Sequence, residues 1–126
     1  MAIEYVKVKR NICVGSNPGE KFLAMIKRGQ LISEDDLCNE IAESTTLSRG
    51  EVKLVIEQLQ YNIVKHAKNS HGVKLNDLGI FYPQIRAKAV NTADDVTPDT
   101  IINKRLCFRP SVAISKAMKS TVVKGL

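Results

Sequence analysis

Tryptophan is absent, and aromatic residues make up only 5% of the 126 positions. That excludes the stacked aromatic platform on which single-stranded nucleic acid is usually bound. Cysteine is scarce and scattered, at Cys13, Cys38 and Cys107, with no C-x-x-C pair. An odd number of distant cysteines argues against a disulfide framework. The two histidines, His66 and His71, do not fall at zinc-ligand spacing, so no metal site is expected. No apolar run approaches the roughly 18–20 residues that a membrane span requires. The opening Met1-Ala2-Ile3-Glu4-Tyr5 lacks the charged and apolar regions of a signal peptide. The expected location is therefore the cytoplasm, with no membrane partner. There is no nucleophile elbow, phosphate loop, H-E-x-x-H or evident paired-carboxylate site. No enzymatic activity and no cofactor are expected.

Acidic residues are also in deficit. There are 19 Lys and Arg against 13 Asp and Glu, a formal net charge of +6. A basic surplus points to an anionic partner, most often nucleic acid, although a merely soluble basic protein has the same balance. The charge is uneven. Residues 1–30 carry six basic and two acidic groups, residues 31–71 four and seven, and residues 72–126 nine and four. The flanks are basic and the middle is acidic, so a polyanion should meet the flanks. Hydrophobic content of 44% and charged content of 25% are those of a globular chain.

Local patterns divide the chain. Tyr5, Val6 and Val8 interleave with charged residues, and Val14-Gly15-Ser16-Asn17-Pro18-Gly19-Glu20 is dense in turn formers. Together with Phe22-Leu23-Ala24-Met25-Ile26 this predicts a β-hairpin, although the second run is short enough to be a helix. Lys7, Lys9 and Arg10 there read as a charged strand edge or as a phosphate-binding strip. Ser33 before Glu34-Asp35-Asp36 predicts a helix N-cap. Ser48-Arg49-Gly50-Glu51 is a capping box. Behind it Val52, Val55, Ile56, Leu59 and Ile63 recur at helical spacing to about Lys68, with an end near Asn69-Ser70-His71-Gly72. Leu54, Tyr61 and Val64 make this helix apolar on more than one face. In so short a chain that predicts a dimer packed through the long helix.

The remainder reads as strands: Val73–Leu75, a turn at Asn76-Asp77, Leu78 onward to Val90, a polar stretch over residues 91–100, and a return over Ile101–Phe108. Pro83 should sit at an edge or a bulge, because it donates no ladder hydrogen bond. Phe81 and Phe108 read as core. Ser111 should cap a last helix over Val112–Lys119.

Three stretches, in this order, resemble the bacterial HU and integration host factor family of histone-like DNA-binding proteins. They are Asp36-Leu37-Cys38-Asn39-Glu40-Ile41-Ala42, Val73-Lys74-Leu75-Asn76-Asp77-Leu78-Gly79-Ile80-Phe81, and Phe108-Arg109-Pro110-Ser111 with Ile114-Ser115-Lys116-Ala117-Met118-Lys119. They cover residues 33–119, and Phe81 and Phe108 stand 27 residues apart, close to the span of the family's arm. The resemblance implies an α+β fold: an intertwined dimer with a helical base, a three-stranded sheet and a projecting β-arm over about residues 84–107. Residues 33–126 would form this HU-like DNA-binding domain, and residues 1–32 an N-terminal β-hairpin extension. The implied partner is double-stranded DNA, bound by a homodimer or by a heterodimer with a paralogue. The implied role is a nucleoid-associated, sequence-tolerant architectural protein that binds duplex DNA and bends it. Arg86, Lys88, Lys104 and Arg105 would contact phosphates from the arm, and Arg109 and Lys116 from the saddle between arms. Pro98 would be the wedge at the tip, although proline there is also an ordinary turn residue. The chain departs from the family at the tip, where Asp94, Asp95 and Asp99 leave residues 84–107 only +1. The alternative reading is therefore an HU-like module that binds protein.

Overall fold

The computed structural model describes residues 1–13, 15 and 17–126. Its elements are β1 (Ile3–Ile12), β2 (Gly19–Ile26), α1 (Glu34–Ser44), α2 (Arg49–Lys68), β3 (Val73–Leu75), β4 (Gly79–Ala87), β5 (Ile101–Pro110), α3 (Val112–Lys119) and β6 (Val123–Gly125). This is a mixed α+β chain with three helices and two three-stranded sheets, ordered β2-β1-β6 and β3-β4-β5. It divides into two units: residues 1–32 with 116–126, and residues 33–115.

In the first unit β1 and β2 pair antiparallel from Tyr5↔Ile26 to Ile12↔Gly19. The second apolar run is thus a strand, as a hairpin requires. Of the turn between them, Val14 and Ser16 lie outside the described residues. The sequence predicts no strand beyond residue 119, yet β6 pairs parallel with β1 at Ile3↔Val123 and Tyr5↔Gly125. Three residues without alternation carry no legible strand signal. The Ile3 N–H donates to the Val122 carbonyl at 2.9 Å and the Leu126 N–H to the Tyr5 carbonyl at 3.1 Å. With β6 in place, β1 is the middle strand over residues 3–5 and keeps one free edge beyond them.

In the second unit both predicted helix starts form. The Ser33 hydroxyl accepts the Asp36 N–H at 3.2 Å. The Ser48 hydroxyl accepts the Glu51 N–H at 3.2 Å, and the Glu51 carboxylate accepts the Ser48 N–H at 3.3 Å. Each such cap is worth about 1 kcal/mol. α2 ends within the expected Asn69-Ser70-His71-Gly72. Ser70 adopts the left-handed conformation there, with φ of 66°. The Ser70 N–H reaches the Ala67 carbonyl and the His71 N–H reaches the His66 carbonyl, both at 3.0 Å. These two bonds form a complete Schellman closure on a serine.

The turn at Asn76-Asp77 is closed by the Leu78 N–H to the Leu75 carbonyl at 3.1 Å. β4 follows and ends at Ala87, three residues short of the expected Val90, where a register shift at Arg86/Ala87 ends the regular ladder. Pro83 pairs with Leu106 beyond the reach of short β3. Its missing N–H therefore faces an open edge, as proline in a sheet requires. Ser111 caps α3, accepting the Ile114 N–H at 3.2 Å while its own hydroxyl donates to the Asp77 carbonyl at 2.7 Å.

Gly79 is the tightest point of this sheet. Its φ is +148°, and a Cβ there would stand 2.2 Å from the Arg109 carbonyl oxygen and 2.9 Å from the Phe108 ring. Only glycine allows both the backbone angle and the approach of β5. Gly79→Ala is expected to cost about 3 kcal/mol or more, since backbone oxygen cannot yield without breaking the ladder. An unfolding free energy from urea titration lowered by less than that would mean the sheet can slide.

The cores are thin. Cys38, Val52 and Ile63 are the buried hydrophobic side chains among the described residues. On α2, Val52, Ile56 and Ile63 turn toward the rest of the unit, whereas Leu54, Val55 and Tyr61 remain 57%, 56% and 66% exposed. The Phe81 and Phe108 rings lie 4.8 Å apart across β4 and β5. Phe108 is still 44% exposed, so the pair expected in the core is half open to solvent. Cys13 is exposed, unlike the small buried residue that cysteine usually is, and all three thiols are free. Among the described residues no helix is long and apolar enough to cross a membrane.

Candidate nucleic-acid interface

The β4–β5 hairpin carries most of the residues expected to meet a polyanion. Its register opposes Ile80 with Arg109, Tyr82 with Cys107, Gln84 with Arg105, and Arg86 with Asn103. Strand alternation therefore puts Arg86, Arg105 and Arg109 on one face. Lys104 falls on the opposite face, with Ile85 and Leu106. It lines a groove of about 510 Å³ between the C-terminal end of α2 (Val64, Ala67, Lys68) and the hairpin, whose lining also includes Gln84 and Arg105. Sequence reasoning groups Arg86, Lys88, Lys104 and Arg105 on the arm and sets Arg109 at the saddle; the register puts Arg109 in line with Arg86 and Arg105 and turns Lys104 to the other face.

Two of the arginines are held by neighbours that the sequence does not single out. The Gln84 side-chain oxygen accepts from Arg105 Nε at 3.0 Å and from a terminal guanidinium nitrogen at 2.7 Å. The Cys107 thiol approaches the same oxygen at 3.2 Å. The Arg109 guanidinium lies 5.6 Å from the Tyr82 ring centre, a cation–π contact worth about 0.5–1 kcal/mol at an exposed site. The signal that could find Gln84 and Tyr82 is the cross-strand register counted from the Phe81↔Phe108 pair. Among the described residues none of these arginines has a carboxylate partner within 4.0 Å.

The hairpin tip is more structured than the polar stretch predicts. The Lys88 N–H bonds the Thr100 carbonyl at 3.0 Å and closes the loop. Ala93–Asp95 and Pro98–Thr100 each form a single 3₁₀ turn. Thr100 is buried, its hydroxyl donating to the Thr97 carbonyl at 2.7 Å. Pro98 opens the second turn, where its fixed φ suits the backbone, and it is exposed. Asp94, Asp95 and Asp99 are exposed beside it. Lys116 stands in the last turn of α3, whose residues from 116 onward belong to the other unit.

A family model described as an HU domain fused to a winged helix-turn-helix (wHTH), Ig or glycine-rich motif, abbreviated HU-HIG, matches residues 1–124. The chain belongs to this HU-HIG family. The expected HU and integration host factor membership thus holds at the level of an HU-like family. The match also takes in the N-terminal sheet, so both units of the HU-HIG chain lie inside one family description. Among solved structures the chain is similar to a Bacteroides vulgatus protein named "Putative bacterial DNA binding protein", at 15% identity and a TM-score of 0.71. That similarity covers 99% of this chain and 48% of the solved one, so the HU-HIG chain spans about half the length of that relative. At such identity the likeness concerns the fold. No curated protein matches the chain.

Proposed function

We propose that this chain is an HU-like architectural protein that binds duplex DNA with little regard to sequence, as an intertwined dimer whose β4–β5 hairpins are the arms. The observation that carries the reading is the row of Arg86, Arg105 and Arg109 along one hairpin face, free of carboxylates and braced by Gln84 and Tyr82. A cationic row at strand spacing suits phosphates, which fix position on the duplex without reading sequence. The HU-like family and the printed name of the similar Bacteroides protein support a DNA partner. The bare second face of α2 and the half-open Phe81–Phe108 pair support a dimer, identical subunits or a paralogue pair, in which those surfaces are covered. Lys88, Lys104 and Lys116 join the contacts in this reading, and Pro98 acts as the wedge that bends the duplex. Nucleoid association in the cytoplasm and the lack of any catalytic step belong to the same proposal.

Five cations of each hairpin, Arg86, Lys88, Lys104, Arg105 and Arg109, offer at most ten phosphate contacts on a dimer. The acidic tip and the turned-away Lys104 make about half of them effective. At about −0.9 per phosphate, the hairpins should give a log–log salt slope of roughly −4 to −6. A mobility-shift titration of the wild type on random-sequence duplex at several salt concentrations tests this. One specific feature favours a second reading, the HU-like protein-interaction module. It is the ordered tip with three exposed aspartates. No shift even at low salt selects that module.

A further inference from the structure

The net charge of +6 is not carried by the HU-like helices and hairpin. Residues 33–115 hold ten basic and eleven acidic side chains, a balance of −1. Residues 1–32 with 116–126 hold nine basic and two acidic, a balance of +7 in a unit about half the size. Both acids of the smaller unit are already neutralised, Glu20 by Lys9 at 2.9 Å and Glu4 by Lys27 at 3.9 Å. Seven cations remain there without a carboxylate partner among the described residues.

Their placement is not that of a scattered solvated surface. Beyond Tyr5, where β6 ends its pairing, β1 and β2 continue as a two-stranded ribbon from Val6↔Met25 to Ile12↔Gly19. Lys7 and Lys9 lie on one face of this ribbon. Arg10 and Lys21 stand directly opposite each other on the second face. Like charges in direct cross-strand register destabilise a sheet, and nothing in this unit offsets the pair. Among the described residues the Arg10 guanidinium reaches the Met25 sulfur, at 3.3 Å, and no carboxylate. An anion seated across Arg10 and Lys21 would remove the repulsion. Two strands about 4.8 Å apart with their side chains also fit the roughly 12 Å major groove of B-DNA, which admits a β-ribbon.

We infer that the β1–β2 ribbon is a second duplex-DNA contact surface, through which Arg10 and Lys21 neutralise backbone phosphates in addition to those met by the β4–β5 hairpin. The inference rests on the DNA-binding reading above and adds a surface to it. It makes the N-terminal sheet a contributor to affinity. It also accounts for a basic chain whose helical unit is slightly acidic.

The test compares salt slopes of full-length variants on one random-sequence duplex. Arg10→Gln with Lys21→Gln removes the two facing cations, exposed or half-buried, that make no ion pair among the described residues. Arg49→Gln with Lys53→Gln, exposed on α2 away from the bare Leu54–Tyr61 face, removes the same charge elsewhere. Far-ultraviolet spectra and melting curves confirm that both variants fold. The ribbon variant should lose up to about 3.6 units of slope, about 0.9 for each of the four phosphate contacts a dimer gives up, and the helix variant less than about 0.5. An unchanged slope in the ribbon variant overturns the inference and leaves DNA binding by the hairpin standing. Equal losses in both variants overturn it as well, because then only net charge matters. A wild type that ignores duplex at low salt ends both readings, and so does one retained on phosphatidylserine vesicles but not on duplex.

Discussion

Val55→Asp should unfold the protein or leave it aggregated, although Val55 is 56% exposed on the single chain. A substitution at a site that is solvated in solution changes stability by no more than about 0.5 kcal/mol. If a second copy covers the bare face of α2, the new carboxylate is buried without a partner. That costs several kcal/mol, a large part of the roughly 5–15 kcal/mol that holds a domain together. The two states of assembly therefore predict opposite outcomes for one exposed valine. Sedimentation of the wild type at micromolar concentration should give twice the chain mass of 14.0 kDa. A Val55→Asp protein that melts like the wild type, and a wild type that sediments as a folded monomer, would each remove the intertwined dimer. Its thin core of Cys38, Val52 and Ile63 would then have to suffice alone.

Arg86→Glu with Arg105→Glu should reduce duplex binding at about 100 mM salt by two orders of magnitude or more while leaving the melting temperature nearly unchanged. Each reversal removes one phosphate contact and adds a repulsion, and a dimer carries both changes twice. Both side chains are exposed, and the one bond lost is that of Arg105 to Gln84. Fluorescence anisotropy with a labelled duplex reads the affinity, and circular dichroism reads the fold. Wild-type affinity in this variant would exclude the hairpin face as a DNA surface. Asp94→Asn with Asp95→Asn is the converse experiment. Lifting the repulsion of the tip should tighten binding severalfold if the tip enters the minor groove, and should change little if it points away from the duplex.

The local elements are written in short-range chemistry. Ser33 and Ser48 cap their helices because a hydroxyl three residues from an orphan N–H needs no tertiary help. The alternation around Val6 and Val8, and the turn at Asn76-Asp77, likewise act within a few residues. Gly79 and the Phe81–Phe108 pair were legible through their resemblance to a family pattern, and the structure supplies the reason: β5 passes too close for a Cβ. Of the candidate site, the sequence determined which residues carry charge and the order in which they follow. Alternation along β5 already sets Lys104 opposite Arg105 and Arg109. The sequence could not determine how the two strands' faces match, because a slip of one residue exchanges front for back. Only the register of the folded hairpin brings Arg86 to the arginine face and sets Gln84 across from Arg105. Only the tertiary structure adds β6 to the N-terminal sheet, since three residues pair parallel with β1 from across nearly the whole chain. It also concentrates the positive charge in that small unit, because linear segments 1–32 and 116–126 become neighbours only on folding.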